Sequence, residues 1–165
     1  PRFAWDPLRV SVAPFVHRGC EIPDGLLYAV ELDVWVRLEP DGVATLGMTD
    51  PAQSQCGKLV HVRFKPAGRS VKRLQSVATI ESAKWVGPFP SPLSATIVAT
   101  NEEGFRRDIL VANKDPYGAG WLARVRPEAL DAERGALLAG EHARDAYVRR
   151  IEERGITCMR CAEDE

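Results

Sequence analysis

Residues 79–86 read Thr79-Ile80-Glu81-Ser82-Ala83-Lys84-Trp85-Val86. Strand-forming residues flank a short turn in this stretch, and the turn presents a lysine. We predict strands over residues 71–81 and 85–89, with the turn between them. A lysine at a hairpin tip is commonly just a solvated residue, but at such a tip it is also open to an enzyme that modifies its amine.

An exposed lysine on a tight turn has the properties that a carrier protein needs. Its flexible stem ends in an amine that can be acylated. A group attached there can swing between several enzymes, and the tether keeps its local concentration high. The attached cofactor supplies the chemistry, while the protein supplies placement and recognition. Lys84 is therefore the first candidate site for covalent attachment.

The rest of the chain reads as short strands with helices beside them. The apolar pattern predicts further strands over residues 34–38, 43–46, 58–64, 96–99 and 121–125. A short helix is expected to begin at Asp50 as its N-cap and to end at Gly57, and another lies around residues 103–110. Residues 128–153 predict one or two further helices, ended by Gly155. Many short strands at close spacing indicate a mainly β fold, a sandwich or barrel, with flanking helices.

Composition excludes several classes of partner. The chain has 22 basic and 23 acidic residues, so its formal charge of −1 gives no basic surface for nucleic acid. Apolar runs are too short to span a membrane, and no signal peptide is evident, so a cytoplasmic location is expected. No nucleophile–base constellation or phosphate-binding glycine loop is evident, which favours a carrier over an enzyme. Proline-rich residues 1–23 are expected to form an N-terminal arm, and residues 128–165 a helical C-terminal extension.

Four blocks of sequence resemble the glycine cleavage H-protein family. The blocks are GMTDPAQ (residues 47–53), ESAK (residues 81–84), SPLSATI (residues 91–97) and NKDPYGAGWL (residues 113–122). The family has Gly-Ile-Thr-Asp-x-Ala-Gln, then Glu and two residues before a modified Lys, then Ser-Pro-x-Ser-Gly, and finally Asn-x-Asp-Pro-Tyr-Gly-x-Gly-Trp-Leu. The blocks keep the family's order and spacing between Tyr28 and Pro127. Each block is weak alone, and the four together make the resemblance specific.

This resemblance implies a fold, a cofactor and partners. The fold would be a barrel-sandwich hybrid of two antiparallel sheets over residues 24–127, as in lipoyl and biotinyl carriers. Lipoic acid would be bound covalently to Lys84, and the lipoylating enzyme would recognise the neighbouring loop residues Glu81, Ser82, Ala83 and Trp85. Biotin is disfavoured because the lysine of biotin carriers lies between two methionines, whereas Lys84 lies between Ala83 and Trp85. A lipoate ligase or other lipoylation machinery is thus an expected partner, and the chain is expected to be a monomer.

Three features depart from the glycine cleavage pattern. Alanine normally follows the lysine, whereas this chain has KWVGP (residues 84–88). The start CEIPDGLLY (residues 20–28) is also unusual, and Asp33 stands two residues before Trp35 where His is usual. The first two features resemble the lipoate-binding proteins linked to heterodisulfide-reductase-like sulfur oxidation. In that branch the dithiol arm is thought to carry sulfur between enzymes, as thiol exchange allows.

Three functions remain open on this basis. The first is a carrier of sulfur intermediates that serves a heterodisulfide-reductase-like complex. The second is a carrier of an aminomethyl group among the glycine cleavage enzymes. The third is an H-like interaction module without the modification, which Trp85 in place of alanine keeps open. Trp85 itself would either pack on its strand or form a docking surface, and Glu81 would be either a solvated strand residue or a recognition residue.

The four cysteines are Cys20, Cys56, Cys158 and Cys161. A domain of this size does not need disulfides, so reduced thiols are expected, with Cys56 as a small core residue. Cys158 and Cys161 have the spacing of a redox pair that could exchange with the lipoyl disulfide. The alternatives are a frayed tail with incidental thiols, or half of a zinc site completed by Cys20 and Cys56, although no metal site is assigned.

Overall fold

The computed structural model describes residues 14–162. The predictions for residues 1–13 of the N-terminal arm and for residues 163–165 lie outside the described residues. The strands are β1 (Phe15–His17), β2 (Cys20–Ile22), β3 (Leu27–Ala29), β4 (Val34–Leu38), β5 (Ala44–Met48), β6 (Leu59–Phe64), β7 (Ser70–Val71), β8 (Ser76–Ser82), β9 (Val86–Pro90), β10 (Ala95–Thr100), β11 (Ala123–Pro127) and β12 (Leu138–Ala139). The α-helices are α1 (Asp50–Cys56), α2 (Glu102–Arg107), α3 (Val111–Lys114), α4 (Leu130–Glu133) and α5 (Gly140–Arg154).

Two antiparallel sheets enclose the main core. The larger has the order β12-β3-β4-β5-β11-β10-β7, and the smaller has the order β6-β8-β9. Buried side chains from both sheets, such as Leu46 and Val125 of the larger and Ile80 and Phe89 of the smaller, form one hydrophobic cluster. The predicted barrel-sandwich of two antiparallel sheets with a helical extension is confirmed, and a separate hairpin, β1-β2, adds to it.

The predicted strands over residues 34–38 and 43–46 form a hairpin, β4-β5, whose turn contains Pro40, Asp41 and Gly42. Their turn is closed by Glu39 and Val43, whose N–H and C=O groups are 2.8 Å apart. On β5, Gly47 faces the indole of Trp35, and a Cβ at Gly47 would lie only 2.4 Å from that ring. Glycine is therefore required there, because a larger residue would displace a side chain that has no exposed surface.

Helix α1 begins one residue earlier than the sequence suggested. Thr49 is the N-cap, and its hydroxyl accepts a hydrogen bond from Ala52 N–H at 3.3 Å. The prediction of Asp50 as N-cap is wrong because its carboxylate binds other groups: it accepts from Glu21 N–H at 2.9 Å and from Gln53 Nε2 at 2.8 Å. The helix ends at Gly57, as predicted, where φ is +81°.

The predicted strand over residues 71–81 is divided into β7 and β8. Between them Gln75 N–H bonds to Lys72 C=O at 2.9 Å, and Leu74 lies in the left-handed region with φ +75°. Leu74 N–H donates to Ser91 C=O at 2.7 Å, which holds this unusual conformation in place. A regular strand cannot contain such a residue, so the sheet pairing stops and restarts there.

The C-terminal extension packs through a second core. Its long helix, α5, buries Ala143, Tyr147 and Ile151, which share one face, and Gly155 ends it with φ +63°. Tyr147 meets Tyr28 of β3 edge to face, with ring centroids 5.6 Å apart. This second core consists of Cys20, Ile22, Leu26, Tyr28, Trp35, Ala143, Tyr147, Ile151, Ile156 and Cys158. Within residues 14–162, no helix has both the length and the apolar character needed to cross a bilayer.

A disulfide between Cys20 and Cys158 joins β2 to the segment after α5. The expectation of four reduced thiols is wrong for these two, while Cys56 and Cys161 are free. Spacing in sequence could not reveal the bond, because its cysteines are 138 residues apart. In chain-entropy terms, a loop of that size stabilises the fold by about 5 kcal/mol at most.

Candidate functional site

Lys84 lies in the tight turn that joins β8 to β9. Ser82 N–H bonds to Trp85 C=O at 2.8 Å and closes the turn. The buried hydroxyl of Ser82 accepts from Lys84 N–H at 3.2 Å and from Trp85 N–H at 3.1 Å. Ala83, Lys84 and Trp85 are exposed. The backbone of the turn is thus anchored from below, while the lysine side chain remains accessible.

The stem of Lys84 extends over Gly57 at the end of α1. A Cβ built on Gly57 would lie 3.1 Å from Lys84 Cε and 3.5 Å from Nζ. Gly57 is held in turn by the buried side chain of Asn113, whose Nδ2 donates to Gly57 C=O at 2.9 Å. The same side chain accepts from Leu59 N–H at 3.2 Å. Asn113 therefore fixes the surface against which the lysine stem rests.

Two of the four sequence blocks meet beneath this surface. Asn113 Nδ2 lies 3.3 Å from Gln53 Oε1, and Asp50 N–H donates to Tyr117 Oη at 2.8 Å. Tyr117 in turn donates to Glu21 C=O on β2. Residues 47–53 and 113–122 thus hold α1, α3 and β2 together. The sequence showed both blocks, but their contact depends on the fold.

Trp85 divides its surface between the strand and solvent. Its ring lies over Gly87, where a Cβ would be 2.1 Å from the ring, and 45% of the residue is exposed. Trp85 therefore packs on its own strand and also leaves part of its ring open to solvent, so the structure is compatible with both alternatives, strand packing and a docking surface. Glu81 is exposed on β8 and stands opposite His61 of β6 in the sheet register.

A cavity of about 650 Å³ opens beside Lys84. Its walls include the apolar side chains of Met48, Ile80 and Phe89, and its polar lining includes Asp33 and Cys56. The volume is within the range of small-molecule sites in proteins. A flexible apolar chain attached to Lys84 can be accommodated there.

Asp33, which departs from the family pattern, is bound by the C-terminal helix. Arg150 of α5 donates from Nε and Nη2 to the two carboxylate oxygens, each at 3.2 Å. Both side chains are only 13% exposed. The Tyr147 hydroxyl also donates to Asp33 at 3.4 Å, and burial, followed by the Asp33 charge, raises the pKa of Tyr147 well above its usual value. An ion pair between Asp33 and Arg150 therefore connects the wall of the cavity to the C-terminal extension.

The cysteines are not arranged as the Cys-x-x-Cys spacing suggested. Cys158 is bonded to Cys20, so it is not paired with Cys161. The alternative four-thiol zinc site is wrong as well, since the disulfide consumes two of its ligands. Among the residues from 14 to 162, no three His, Cys, Asp or Glu side chains converge as a metal site would require.

The described part of the tail is not frayed. Residues 158–161 lie along α1: Met159 N–H donates to Ser54 Oγ at 3.0 Å, and Gln53 Nε2 donates to Met159 C=O at 2.6 Å. Cys161 N–H donates to Gln53 Oε1 at 3.2 Å. The segment is thereby held close to the end of the helix that supports Lys84.

This combination of a barrel-sandwich with an exposed lysine on a supported β-turn defines the class of lipoyl-carrier-like domains. The glycine cleavage H-protein family model matches residues 26–150. The chain belongs to the glycine cleavage H-protein family, and the resemblance seen in the sequence is confirmed. Glycine cleavage H proteins are carriers and not enzymes. The match extends beyond Pro127 into α5, so it includes part of the extension.

Individual relatives agree with this assignment. The chain is 42% identical to glycine cleavage system H protein 3 of Aquifex aeolicus over 148 residues, which cover 88% of this chain and 91% of the relative. It is 39% identical to a probable glycine cleavage system H protein 2 of Sulfolobus acidocaldarius, covering 88% and 97%. A crystal structure of a glycine cleavage system H protein from Mycobacterium marinum matches with a TM-score of 0.66 at 29% identity, covering 82% of this chain and all of the other.

Proposed function

We propose that this protein is a lipoyl carrier of the glycine cleavage type, with the lipoyl group in amide linkage to Lys84 Nζ. The observation that carries the proposal is the exposed Lys84 on a turn anchored by Ser82, next to an apolar cavity. Family membership supports lipoate as the cofactor and a carrier role in place of catalysis. Glycine cleavage enzymes and a lipoylating enzyme are the corresponding partners.

The residues around Lys84 fit a lipoyl group. The group is a flexible acyl chain that ends in a dithiolane, so apolar walls such as Met48, Ile80 and Phe89 are chemically suitable. When bound, it would supply a dithiol–disulfide couple that accepts and releases a transferred group. The chain's own contribution is placement: Ser82 fixes the turn, Gly57 leaves room for the lysine stem, and the cavity offers apolar contacts.

Recognition by the lipoylating enzyme is assigned to the exposed part of the same turn. Glu81 offers an exposed carboxylate, Ala83 offers a small side chain that leaves the lysine open, and Trp85 offers a half-exposed indole. Aromatic surfaces of this kind are common anchors of protein partners. Ser82 acts from beneath by holding the turn in shape.

The first test is the mass of the protein purified from its own host, with peptide mapping. A lipoyl increment is expected on the peptide that contains Lys84, and Lys84→Arg should lack it while keeping the positive charge. An unmodified Lys84 during active growth would contradict the proposal and favour the third alternative, an interaction module without lipoate.

A second candidate function is sulfur transfer to a heterodisulfide-reductase-like complex. It is favoured by KWVGP at residues 84–88 and by Trp85 in place of alanine, features that resemble the sulfur-oxidation branch. The names of the relatives favour glycine cleavage instead. The two functions separate when the lipoylated protein is incubated with glycine and glycine decarboxylase, or with a sulfane donor. Gain of an aminomethyl group on the arm supports the first function, and gain of sulfur alone supports the second.

A further inference from the structure

Two free thiols, Cys56 and Cys161, lie at the end of α1 that meets the lysine turn. Cys56 is the last residue of α1 and lines the cavity beside Lys84. Cys161 Sγ lies 3.8 Å from the C=O of Ser54, two residues before Cys56. Cys56 therefore lies next to the position at which an arm on Lys84 begins, and Cys161 lies beside the last turn of the same helix.

The position of Cys161 is fixed by polar contacts. Its N–H is bound to Gln53 Oε1, and the preceding residues are tied to α1 through Ser54 Oγ and Gln53 Nε2. Arg160 adds ion pairs with Asp50 at 3.1 Å and Glu21 at 2.9 Å. These contacts tie the segment that carries Cys161 to two elements, α1 and β2.

The two thiols differ in exposure, since Cys56 is buried and Cys161 is partly exposed. Burial is the largest cause of a raised pKa for the Cys56 thiol, and the nearby Cys161 adds to it. A hydrogen bond from Ser82 and the charge of Lys84 act in the opposite direction. Cys56 is therefore mainly protonated at neutral pH, whereas Cys161 is partly exposed, so that an incoming disulfide can reach it.

We propose that Cys56 and Cys161 form a dithiol site that exchanges two electrons with a dithiolane carried on Lys84. The assignment rests on the proposed lipoyl function for its natural substrate, but the site is built from residues of this chain alone. Cys161 attacks one sulfur of the dithiolane, breaks its S–S bond and forms a mixed disulfide. Cys56 then attacks Cys161 Sγ and displaces the arm. A Cys56–Cys161 bond forms, the two thiol protons and two electrons pass to the dithiolane, and a dithiol arm is left.

The Cys20–Cys158 disulfide is not part of this exchange. Cys20 is fully buried and Cys158 nearly so, within the second core, and exchange requires access to a sulfur. The molecule thus contains one protected disulfide and one exchangeable pair. The Cys-x-x-Cys spacing belongs to two different functions: Cys158 to the protected bond and Cys161 to the exchange.

The test uses free lipoamide as the probe and the Lys84→Arg variant as the protein. This variant has no arm, so failure of the dithiol site is distinguishable from failure of lipoylation. The protein is equilibrated with lipoamide and dihydrolipoamide at graded ratios, quenched with acid, alkylated and mapped by mass spectrometry. A peptide pair linking Cys56 to Cys161 should grow as lipoamide becomes the major form, while Cys20–Cys158 stays linked throughout.

Two controls keep the result interpretable. Cys161→Ser and Cys56→Ser should each abolish the linked pair, and Cys161→Ser leaves a residue outside both cores, so its fold is expected to be intact by near-ultraviolet circular dichroism. With a lipoyl group on Lys84, the linked pair should form at least tenfold faster than with the same concentration of free lipoamide, because tethering raises the local concentration. The proposal is overturned if both thiols remain alkylatable at every ratio, or if Cys161 is found linked to Cys158.

Discussion

The hydroxyl of Ser82 organises the lysine turn because it accepts hydrogen bonds from two backbone N–H groups, those of Lys84 and Trp85. Its neighbours along the turn are exposed and differ from the usual family sequence at Trp85, yet the turn keeps its closure. The Ser82 hydroxyl therefore holds the turn from its buried side, while the indole of Trp85 lies outside it.

Replacing Ser82 by Ala should loosen this turn. The N–H groups of Lys84 and Trp85 lose their acceptor, which costs about 1–2 kcal/mol of unfolding free energy. We expect lipoylation of Lys84 by a lipoate ligase to slow several-fold, as followed by intact mass. Ser76→Ala, which removes a hydroxyl from the other end of β8, is the matched control. Equal lipoylation rates for the two variants would show that Ser82 does not position the lysine.

Acylation of Lys84 should raise the pKa of the Cys56 thiol. Burial raises the pKa of the Cys56 thiol, and the Lys84 charge offsets part of that rise, so acylation, which removes the charge, should raise the pKa further. In Lys84→Gln the pH at which Cys56 reacts with iodoacetamide is expected to move upward, whereas Lys84→Arg should keep the profile of the unmodified chain. Rates measured between pH 6 and 10 in a Cys161→Ser background test this, and a profile unchanged in Lys84→Gln would contradict it.

At the scale of elements, the strands were predictable because their apolar residues are continuous or alternate. Val34, Trp35 and Val36 are all fully buried, since β4 has one core on each face. The sequence showed this apolar run as a strand, but the contacts on its second face include Pro116 C=O, which accepts from Trp35 Nε1 and is 81 residues away in the sequence, and the ring of Tyr117. Likewise, β12 is a two-residue edge strand inside a predicted helical region, and it exists because Leu138 and Ala139 pair with β3.

The ion pair between Asp33 and Arg150 links the start of β4 to α5. Asp33→His restores the residue that the family usually has, but it should destabilise this chain by about 1–3 kcal/mol because Arg150 loses a half-buried partner. Urea unfolding measures the change. The exposed pair of Glu102 and Arg106 on α2 is the control, and Glu102→Gln should cost less than about 0.5 kcal/mol. A smaller loss for Asp33→His than for Glu102→Gln would refute the linkage.

For the whole molecule, the sequence predicted the main core and the site better than the second core. The four motif blocks identified the carrier fold and Lys84 as the candidate residue, because those residues are near one another in sequence or match a known pattern. The disulfide, the support of Gly57 by Asn113 and the seating of Cys161 depend on contacts between distant segments. Such contacts leave no spacing signal in a single sequence.

Removing the protected disulfide should loosen the second core before the first. Cys158→Ser is expected to lower the unfolding free energy by about 2–5 kcal/mol. Hydrogen exchange should accelerate in β1, β2 and the end of α5 more than in β8 and β9, which belong to the main core. Uniform acceleration in all of these strands would show that the two cores unfold as one unit.

The bond between Cys20 and Cys158 also closes most of the chain into a covalent ring. A protease that cuts at one exposed loop within that ring opens it without releasing a fragment. A nicked molecule would therefore run as a single species on a non-reducing gel and separate into two pieces only after reduction. The lysine turn lies inside the ring. After a single break in the backbone, the fragment that bears a group on Lys84 would stay joined to the other fragment through the disulfide.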